Sequence, residues 1–241
     1  MSPSTKILFL GMDAADKDLL LKWASDETLP TIRSILNKGL VGDTISPVGF
    51  FIGSVWPSFY TGCSPANHGF HYLVQIKPGT YDFFRCNPDK FLKRQPFWNP
   101  LSQAGRKVAI LDIPLSFMTK NLNGIQIVEW GSHDSVYNFC AAPNGLKQEV
   151  ISKFGSYPIH NTCDSFSRTP EGFNNFKDAL IKGVEKKTDL TNYYLNQEKW
   201  DFFAQVFTES HCAGHQCWHL HDPDHPAHDP HAVAEIGDPL R

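Results

Sequence analysis

The chain has 241 residues, of which 41% are hydrophobic, and this is enough to bury a sizeable core. Its 22 Lys and Arg against 25 Asp and Glu give a formal net charge of −3. A protein that tracks a nucleic-acid backbone usually carries a basic excess, so we expect no nucleic-acid partner.

No stretch approaches the roughly 18 apolar residues of a membrane span. The first apolar run also lacks a signal-peptide pattern, and the sequence therefore predicts a cytoplasmic protein without a membrane partner. The six cysteines form no CxxC pair, which favours free thiols over a disulfide framework.

The N-terminal segment predicts a buried strand followed by helix. Residues 6–13 (KILFLGMD) form an apolar run that Gly11 and Asp13 punctuate at its end. Apolar residues then recur mostly at helical spacing over 17–38, and the stretch 26–30, which ends in a proline, is expected to break this segment into two helices.

Further strands and helices alternate along the rest of the chain. Two short apolar strands are predicted at 108–112 (VAILD) and 125–129 (IQIVE), and the segment between them can cross over, which favours parallel pairing. Helical patterns follow at 146–154 and 173–197, and 200–207 (WDFFAQVF) predicts another buried strand.

This alternation predicts an α/β fold with a doubly wound, mostly parallel sheet and helices on both faces. We expect residues 1–241 to form one domain of catalytic type, with insertions at 70–105 and 131–195. Ligands of such sheets bind where the strands end. Two places are singled out by this rule: Asp13 after the first strand, and the loop 208–231 after the last.

Asp13 is a candidate metal ligand. A carboxylate directly after a buried strand is held in position by the strand and exposed by the turn, which suits a hard divalent ion. The alternative is that Asp13 caps the helix that follows.

The segment 53–69 (GSVWPSFYTGCSPANHG) offers a candidate nucleophile. Ser54 can cap a short helix that tolerates Pro57 in its first turn and ends at Gly62. The partial positive charge at a helix N-terminus lowers the cost of an alkoxide and attracts a phosphate. The alternative is that Ser54 only caps.

The segment 209–231 is rich in histidine and aspartate and predicts a zinc site. His211 and His215 are spaced i, i+4, so one helical turn places both imidazoles on one side, with Glu209 near enough to assist. Imidazole with carboxylate suits zinc. The alternative is a solvated loop that binds metals adventitiously.

These three pieces in this order resemble the alkaline phosphatase superfamily, and particularly its type I phosphodiesterase/nucleotide pyrophosphatase group. The family's G-x-D after a strand is similar to 11–13, which would make Asp13 a ligand of one metal. Its T-G-x-x-P-x-x-H-G resembles 61–69 (TGCSPANHG) and is the most specific piece, with His68 in a structural role. The family's D-x-x-x-H for the second metal falls on His211 and His215.

The chain departs from the family pattern at the nucleophile. Counting back from Thr61 to the family's usual nucleophile reaches Ile52, which has no nucleophilic atom. Either a local shift presents Ser54, or this branch uses Ser58, or the chain is catalytically silent.

Two further departures concern the metals. His211 stands where the family has a carboxylate, which makes the site softer and one negative charge poorer. The family's S-D-H-G segment and its later histidine are not recognisable. We therefore expect a fragment or a truncated reading frame that holds half of each metal site, binds metal weakly and is inactive alone.

The resemblance implies a metal-dependent hydrolase of phosphoric esters with two zinc ions and a hydroxyl nucleophile. The substrate would be a small-molecule phosphate ester or nucleotide: a phosphodiester, a nucleotide pyrophosphate or a phosphomonoester. The alternative is a silent metal-binding or interaction homologue of the same fold. A third reading is a His-rich stretch that buffers zinc independently of the fold.

Overall fold

The computed structural model describes residues 5–46, 53–132, 135–159 and 162–241. In chain order the strands are β1 (Ile7–Met12), β2 (Val74–Ile76), β3 (Phe83–Arg85), β4 (Val108–Leu111), β5 (Gly124–Val128), β6 (Cys140–Ala142) and β7 (Phe202–Phe207). The helices are α1 (Lys17–Ser25), α2 (Pro30–Lys38), α3 (Val55–Thr61), α4 (Pro65–His68), α5 (Pro88–Phe91), α6 (Trp98–Gln103), α7 (Leu146–Phe154), α8 (Pro170–Leu195), α9 (Glu209–His221) and α10 (Pro230–Ile236). Within the described ranges, none of these helices combines the length and apolarity that crossing a bilayer demands.

The central sheet has the strand order β1-β7-β4-β5-β6. The pairs β1/β7, β7/β4 and β4/β5 are parallel, whereas β6 runs antiparallel to β5 at one edge. The predicted mostly parallel α/β fold is thus confirmed. The antiparallel β6 and the antiparallel hairpin β2/β3, which lies apart from the central sheet, were not predicted.

The predicted elements agree closely with those observed. The break between α1 and α2 lies where the sequence places it, since α1 ends at Ser25 and Pro30 begins α2. Helix α7 has the predicted bounds, and α8 begins a few residues before the predicted start. These segments carry strong apolar periodicity, which is the most reliable signal in a sequence.

Helices cover both faces of the sheet. Successive strand residues point to opposite faces. On one face Phe203 of β7 and Leu111 of β4 pack with Leu190 of α8. On the other, Ile110 of β4 packs with Tyr60 of α3 and Trp98 of α6, next to Phe202, Ala204 and Val206 of β7.

The histidine-rich segment is mostly helical. We predicted a loop over 208–231, but α9 extends through His221 and α10 begins at Pro230. The reason is packing: Cys212, Cys217 and Leu220 share one buried side of α9, next to Phe173 and Phe176 of α8. The apolar stripe of α9 is narrow, and its residues alternate with histidines along the sequence. The polar composition of the segment therefore hid the helical pattern.

Candidate metal and phosphate site

Strand pairing brings Asp13 and the start of α9 together. Because β1 and β7 are parallel neighbours with Met12 opposite Phe207, both strands end at the same edge of the sheet. The backbone N–H of Asp13 donates to the carbonyl of Phe207 (2.8 Å), and the Ser210 hydroxyl donates to the carbonyl of Asp13 (2.7 Å). The first turn of α9 is thereby held against the end of β1.

The Asp13 carboxylate is held by two side chains. Its Oδ1 accepts a hydrogen bond from the indole Nε1 of Trp56 (2.8 Å), and its Oδ2 lies 3.0 Å from Nδ1 of His211. The alternative that Asp13 caps α1 is wrong, because Asp16 is the cap and its side chain accepts from the backbone N–H of Leu19. The Asp13 carboxylate therefore makes its contacts at the sheet edge and does not cap α1.

Gly11 allows Trp56 to reach Asp13. A Cβ at this position would lie 3.2 Å from the far end of the Trp56 ring and 3.1 Å from Val206. Any side chain at Gly11 would therefore press on the indole that orients the carboxylate. This gives the glycine of the G-x-D sequence a steric reason.

His211 and His215 lie on one side of α9, as their spacing predicts. Their rings stack with centroids 4.4 Å apart and an interplanar angle of 6°. His211 is the member in contact with Asp13. Of the four residues that we proposed as metal ligands, the structure thus places His211 in contact with both Asp13 and His215.

The fourth residue, Glu209, has other partners. Its Oε1 accepts a hydrogen bond from the Tyr157 hydroxyl (2.5 Å) and lies 3.4 Å from Nζ of Lys187. The side chain of Glu209 is 5% exposed. In the structure its carboxylate belongs to a buried cluster next to the site, and it is not grouped with Asp13.

That buried cluster is centred on Lys187 of α8. Its ammonium group is fully buried and donates to the carbonyl of Gly131 (2.8 Å) and to Oγ1 of Thr208 (3.0 Å). The Thr208 hydroxyl also donates to the Gly131 carbonyl (2.7 Å). Together with Glu209, these contacts tie the first residues of α9 to the loop after β5.

Asp112, at the end of β4, is a second buried carboxylate that the sequence analysis treated only as part of a strand. It has a positive φ of 49°, and its oxygens accept the backbone N–H groups of Trp130 and Gly131 (2.9 Å each). Burial raises the pKa of Asp112 to about 6, although Lys187 and the two N–H groups oppose this shift. Its position in the sequence could have indicated it, because Asp112 directly follows β4 just as Asp13 directly follows β1.

The two candidate nucleophiles lie at different depths. Ser54 precedes α3, is fully buried and does not cap the helix with its side chain. Ser58 is half-buried, and its Oγ lies 3.0 Å from Nε2 of His68. His68 is buried and its Nδ1 accepts the backbone N–H of Phe70 (3.1 Å), in accord with a structural role. Ile52 lies outside the described residues.

An apolar cavity of about 460 Å³ adjoins Ser58. It is lined by Phe9, Thr44, Ile45, Ser46, Val55, Trp56, Ser58 and Phe59. Of the aromatic residues in this segment, Trp56 and Phe59 face the cavity, whereas Tyr60 is fully buried and donates its hydroxyl to the carbonyl of Leu115.

The side chains near Asp13 are of types that bind divalent metals, but they do not surround a metal position. One carboxylate and two imidazoles are ligands that zinc accepts. In the part of the chain that the structure describes, no three or more His, Cys, Asp and Glu are grouped so that they could hold a metal ion. Asp13, His211 and His215 therefore match zinc by the type of their donor atoms, and they do not form a metal-holding group by themselves.

Comparison with known proteins identifies the family. The model of the type I phosphodiesterase / nucleotide pyrophosphatase family matches residues 7–231. The chain belongs to this family. The match includes Asp13, both candidate serines and the histidines of α9. No curated protein matches the chain.

Solved structures agree on the fold. The chain is similar to phosphonoacetate hydrolase from Sinorhizobium meliloti 1021 in complex with phosphonoacetate, with a TM-score of 0.52 and 18% identity. The structure of that enzyme with phosphonoformate gives a TM-score of 0.52 and 17% identity. Each match covers 99% of this chain and 52% of the solved chain. The chain therefore spans about half the length of these structures.

Proposed function

We propose that this chain supplies part of the active site of a metal-dependent hydrolase of phosphoric esters. The observation that carries the proposal is the contact of Asp13 with His211, and of His211 with His215, at the carboxyl ends of β1 and β7. This is the edge where doubly wound folds bind their ligands. Membership of the phosphodiesterase family supports the same reaction class.

Asp13, His211 and His215 are the proposed metal ligands. Zinc, of which the family resemblance implies two ions, would supply Lewis-acid stabilisation of a phosphoryl oxygen when bound. Trp56 orients Asp13, and the Ser210 hydroxyl fixes the backbone of Asp13. Glu209, which was also expected to assist, fixes the first turn of α9 through Lys187 and Tyr157.

Ser54 is the proposed nucleophile and Ser58 the second candidate. Ser54 lies directly before α3, the helix whose Trp56 contacts Asp13. The side chain of Ser54 makes no cap hydrogen bond to α3. Ser58 is more accessible and lines the apolar cavity.

The substrate class is a small-molecule phosphate ester or nucleotide. The apolar cavity beside α3 has the volume and lining to receive an aromatic or aliphatic leaving group, since ligand pockets are mostly apolar and of about 300–1,000 Å³. Phosphodiesters, nucleotide pyrophosphates and phosphomonoesters all present a phosphoryl group with such a substituent.

A silent metal-binding homologue of the same fold is the second candidate. The full burial of Ser54 favours it, because a nucleophile must reach phosphorus. This candidate keeps the contacts of Asp13, His211 and His215 but predicts no turnover.

The test combines zinc content with hydrolysis of a chromogenic phosphodiester and a chromogenic phosphomonoester. Both are measured on this chain and on a polypeptide extended through the downstream coding sequence. We expect turnover with about two zinc ions per extended polypeptide, and weak binding with no turnover for the 241 residues. Zinc binding without turnover in the extended form would establish the silent homologue instead.

A further inference from the structure

A second cavity lies at the end of the sheet opposite to Asp13. Lys107 precedes β4, Gly124 begins β5 and Trp200 precedes β7, and these residues line a cavity of about 570 Å³. Because the strands are parallel, their amino ends lie together, whereas Asp13 follows the carboxyl end of β1. The start of α7 and the end of α8 form the walls. The cavity has the size of a small-molecule site, about 300–1,000 Å³, and is separate from the proposed metal ligands.

A buried hydroxyl group without a partner belongs to the lining of this cavity. Tyr194, near the end of α8, lines the cavity and is 4% exposed. Its hydroxyl has no hydrogen-bond partner among the residues that the structure describes. Buried polar groups are nearly always hydrogen-bonded, because an unpaired one costs free energy. Burial also raises the pKa of Tyr194, so the group stays a neutral hydroxyl that can donate and accept. A bound ligand could supply the missing partner.

The charged side chains of the cavity leave one negative charge. Lys107 and Glu198 both line it and form an ion pair of 2.9 Å. Glu149 of α7 also lines it, and its Oε1 accepts a hydrogen bond from the neutral hydroxyl of Tyr193 (3.0 Å). Within the described ranges no cationic side chain forms an ion pair with Glu149, since Lys153 lies over the Tyr193 ring instead. The ends of α7 and α8 carry partial charges of opposite sign, which largely cancel. The cavity therefore favours a cation.

The rest of the lining is largely aromatic and aliphatic. Trp200 is 8% exposed, and its indole Nε1 donates to the carbonyl of Tyr194 (2.8 Å), which ties the two residues together. Ile125 and Leu146 add aliphatic surface. The faces of tryptophan and tyrosine rings attract ammonium groups. A metal ion would need more oxygen or nitrogen ligands than one carboxylate and one hydroxyl. The lining therefore suits an organic cation better than a metal ion.

We propose that this cavity binds an organic ammonium ion with an apolar body. The ammonium group donates to the Glu149 carboxylate and to the Tyr194 hydroxyl, and the apolar body packs on Trp200 and its aliphatic neighbours. An anion would meet two carboxylates, while Lys107 is already paired with Glu198. The proposal depends on neither metal binding nor hydrolysis, because the cavity lies at the opposite end of the sheet from Asp13.

The experiment compares three probes of similar shape on the full 241-residue chain. Benzylammonium is positively charged, benzyl alcohol is neutral and benzoate is negatively charged. Titrations followed by backbone amide chemical shifts measure both affinity and location. We expect benzylammonium to bind with a Kd on the order of 1 mM, as is usual for a ligand of this size. The other two should bind at least about 10-fold more weakly, because neither donates a charge-assisted hydrogen bond to Glu149. The shifts should lie around the cavity and leave Asp13 and His211 unchanged.

The first variant tests the carboxylate. Glu149→Gln removes the charge but keeps an oxygen that the Tyr193 hydroxyl can reach. We expect it to weaken benzylammonium binding at least about 10-fold. The matched control is Glu185→Gln, which makes the same change on the exposed side of α8 and should bind as the wild type does.

The second variant tests the hydroxyl. Tyr194→Phe keeps the ring and removes only the unpartnered oxygen, so we expect benzylammonium to bind about 10-fold more weakly. Without ligand this variant should be at least as stable as the wild type in thermal unfolding, because it loses an unpaired buried polar group. Weaker binding by a stable variant cannot come from misfolding. Tyr81→Phe is the control, since Tyr81 is 96% exposed and should not affect binding.

Three results would overturn the proposal. Equal affinity for benzylammonium and benzyl alcohol would show that the charge is not recognised. Unchanged affinity in both Glu149→Gln and Tyr194→Phe, or chemical shifts away from the cavity, would show that the ammonium group binds elsewhere. Failure of all three probes to bind would show that the cavity is not a site for this class of ligand.

Discussion

The imidazole Nδ1 of His211 lies 3.0 Å from Oδ2 of Asp13, and the two residues come from opposite ends of the sequence. The parallel pairing of β1 with β7 creates this contact, because it places the ends of both strands side by side. The predictions that follow test what the contact and its surroundings do.

Substituting His215 separates a shared metal site from a zinc-buffering stretch. His215→Ala should weaken zinc binding at least about 10-fold. Removing a residue that only supports a metal ligand commonly lowers metal affinity by that factor, and removing the ligand itself should lower it at least as much. His228→Ala should have little effect, because His228 contacts the carbonyl of His219 instead. Competition with a chromogenic chelator measures both. Equal losses would favour a histidine-rich stretch that binds zinc independently of the fold.

Trp56→Phe tests the orientation of Asp13. The change removes the indole N–H that donates to Oδ1 (2.8 Å) but keeps most of the ring. We expect zinc affinity to fall about 10- to 100-fold, as is common when a ligand loses its supporting hydrogen bond. The control is Trp218→Phe, which removes the indole bond to Asp222 (3.2 Å). Similar zinc affinity in both variants would show that the Trp56 bond has no role in metal binding.

Lys187→Met should strongly destabilise the fold. The variant leaves Glu209 buried without its cation, and removing one partner of a buried pair costs about 3 to 5 kcal/mol. Chemical denaturation measures the free energy of unfolding. Adding Glu209→Gln should restore part of the loss. Lys182→Met, on the exposed side of the same helix, should change stability by less than about 0.5 kcal/mol, and a comparable loss there would contradict the argument.

The raised pKa of Asp112 predicts that the stability of the fold depends on pH. Burial raises its pKa from 3.8 to about 6, so the folded state binds the proton more tightly than the unfolded state. The contribution of Asp112 to the free energy of folding is therefore favourable at low pH. This contribution, of up to about 3 kcal/mol, is lost as pH rises from about 4 through about 6. Asp112→Asn should therefore gain stability relative to the wild type as pH rises from about 4 to about 7.

The matched comparison for this pH dependence is Glu198→Gln. The Lys107 side chain lowers the pKa of Glu198, so this carboxylate stabilises the fold above its ordinary pKa and the contribution is lost as pH falls. The difference between variant and wild type should therefore have the opposite slope with pH. A flat difference for Asp112→Asn would exclude a raised pKa at that position.

Substituting the two serines assigns the nucleophile in an active extended polypeptide. Ser54→Ala should reduce kcat by a factor of about 10³ or more, since loss of a nucleophile removes the covalent pathway. Ser58→Ala should leave most activity. Thermal unfolding of both variants controls for misfolding. Full turnover in Ser54→Ala together with loss in Ser58→Ala would move the assignment to Ser58.

Much of the fold could be predicted because its signals are local. Apolar runs gave β1, β4, β5 and β7, and helical spacing gave α1, α7 and α8. The contact between His211 and His215 could also be predicted, because one turn of helix fixes it. The edge at which Asp13 would lie followed from the alternation of strands and helices.

The partners of Glu209 could not be predicted, because they come from distant elements. Lys187 reaches Glu209 from the middle of α8, and Tyr157 reaches it from the loop after α7. A buried lysine has no sequence signature, since its neighbours in α8 look like those of an ordinary amphipathic helix. The antiparallel β6 has only three residues, which is too short for periodicity to indicate a strand.

The hydrogen bond from the Phe70 backbone fixes the protonation of His68. Because this N–H donates to Nδ1, the proton of the neutral ring must reside on Nε2, the atom that faces Ser58. Burial lowers the pKa of His68, which favours the neutral ring over the imidazolium. Ser58 therefore receives a hydrogen bond from the imidazole, and this ring cannot accept the serine proton without first exchanging its own. The distance between Ser58 and His68 is that of a catalytic dyad. The hydrogen bond, however, runs from the imidazole to the serine, whereas a dyad requires the serine to donate to the imidazole.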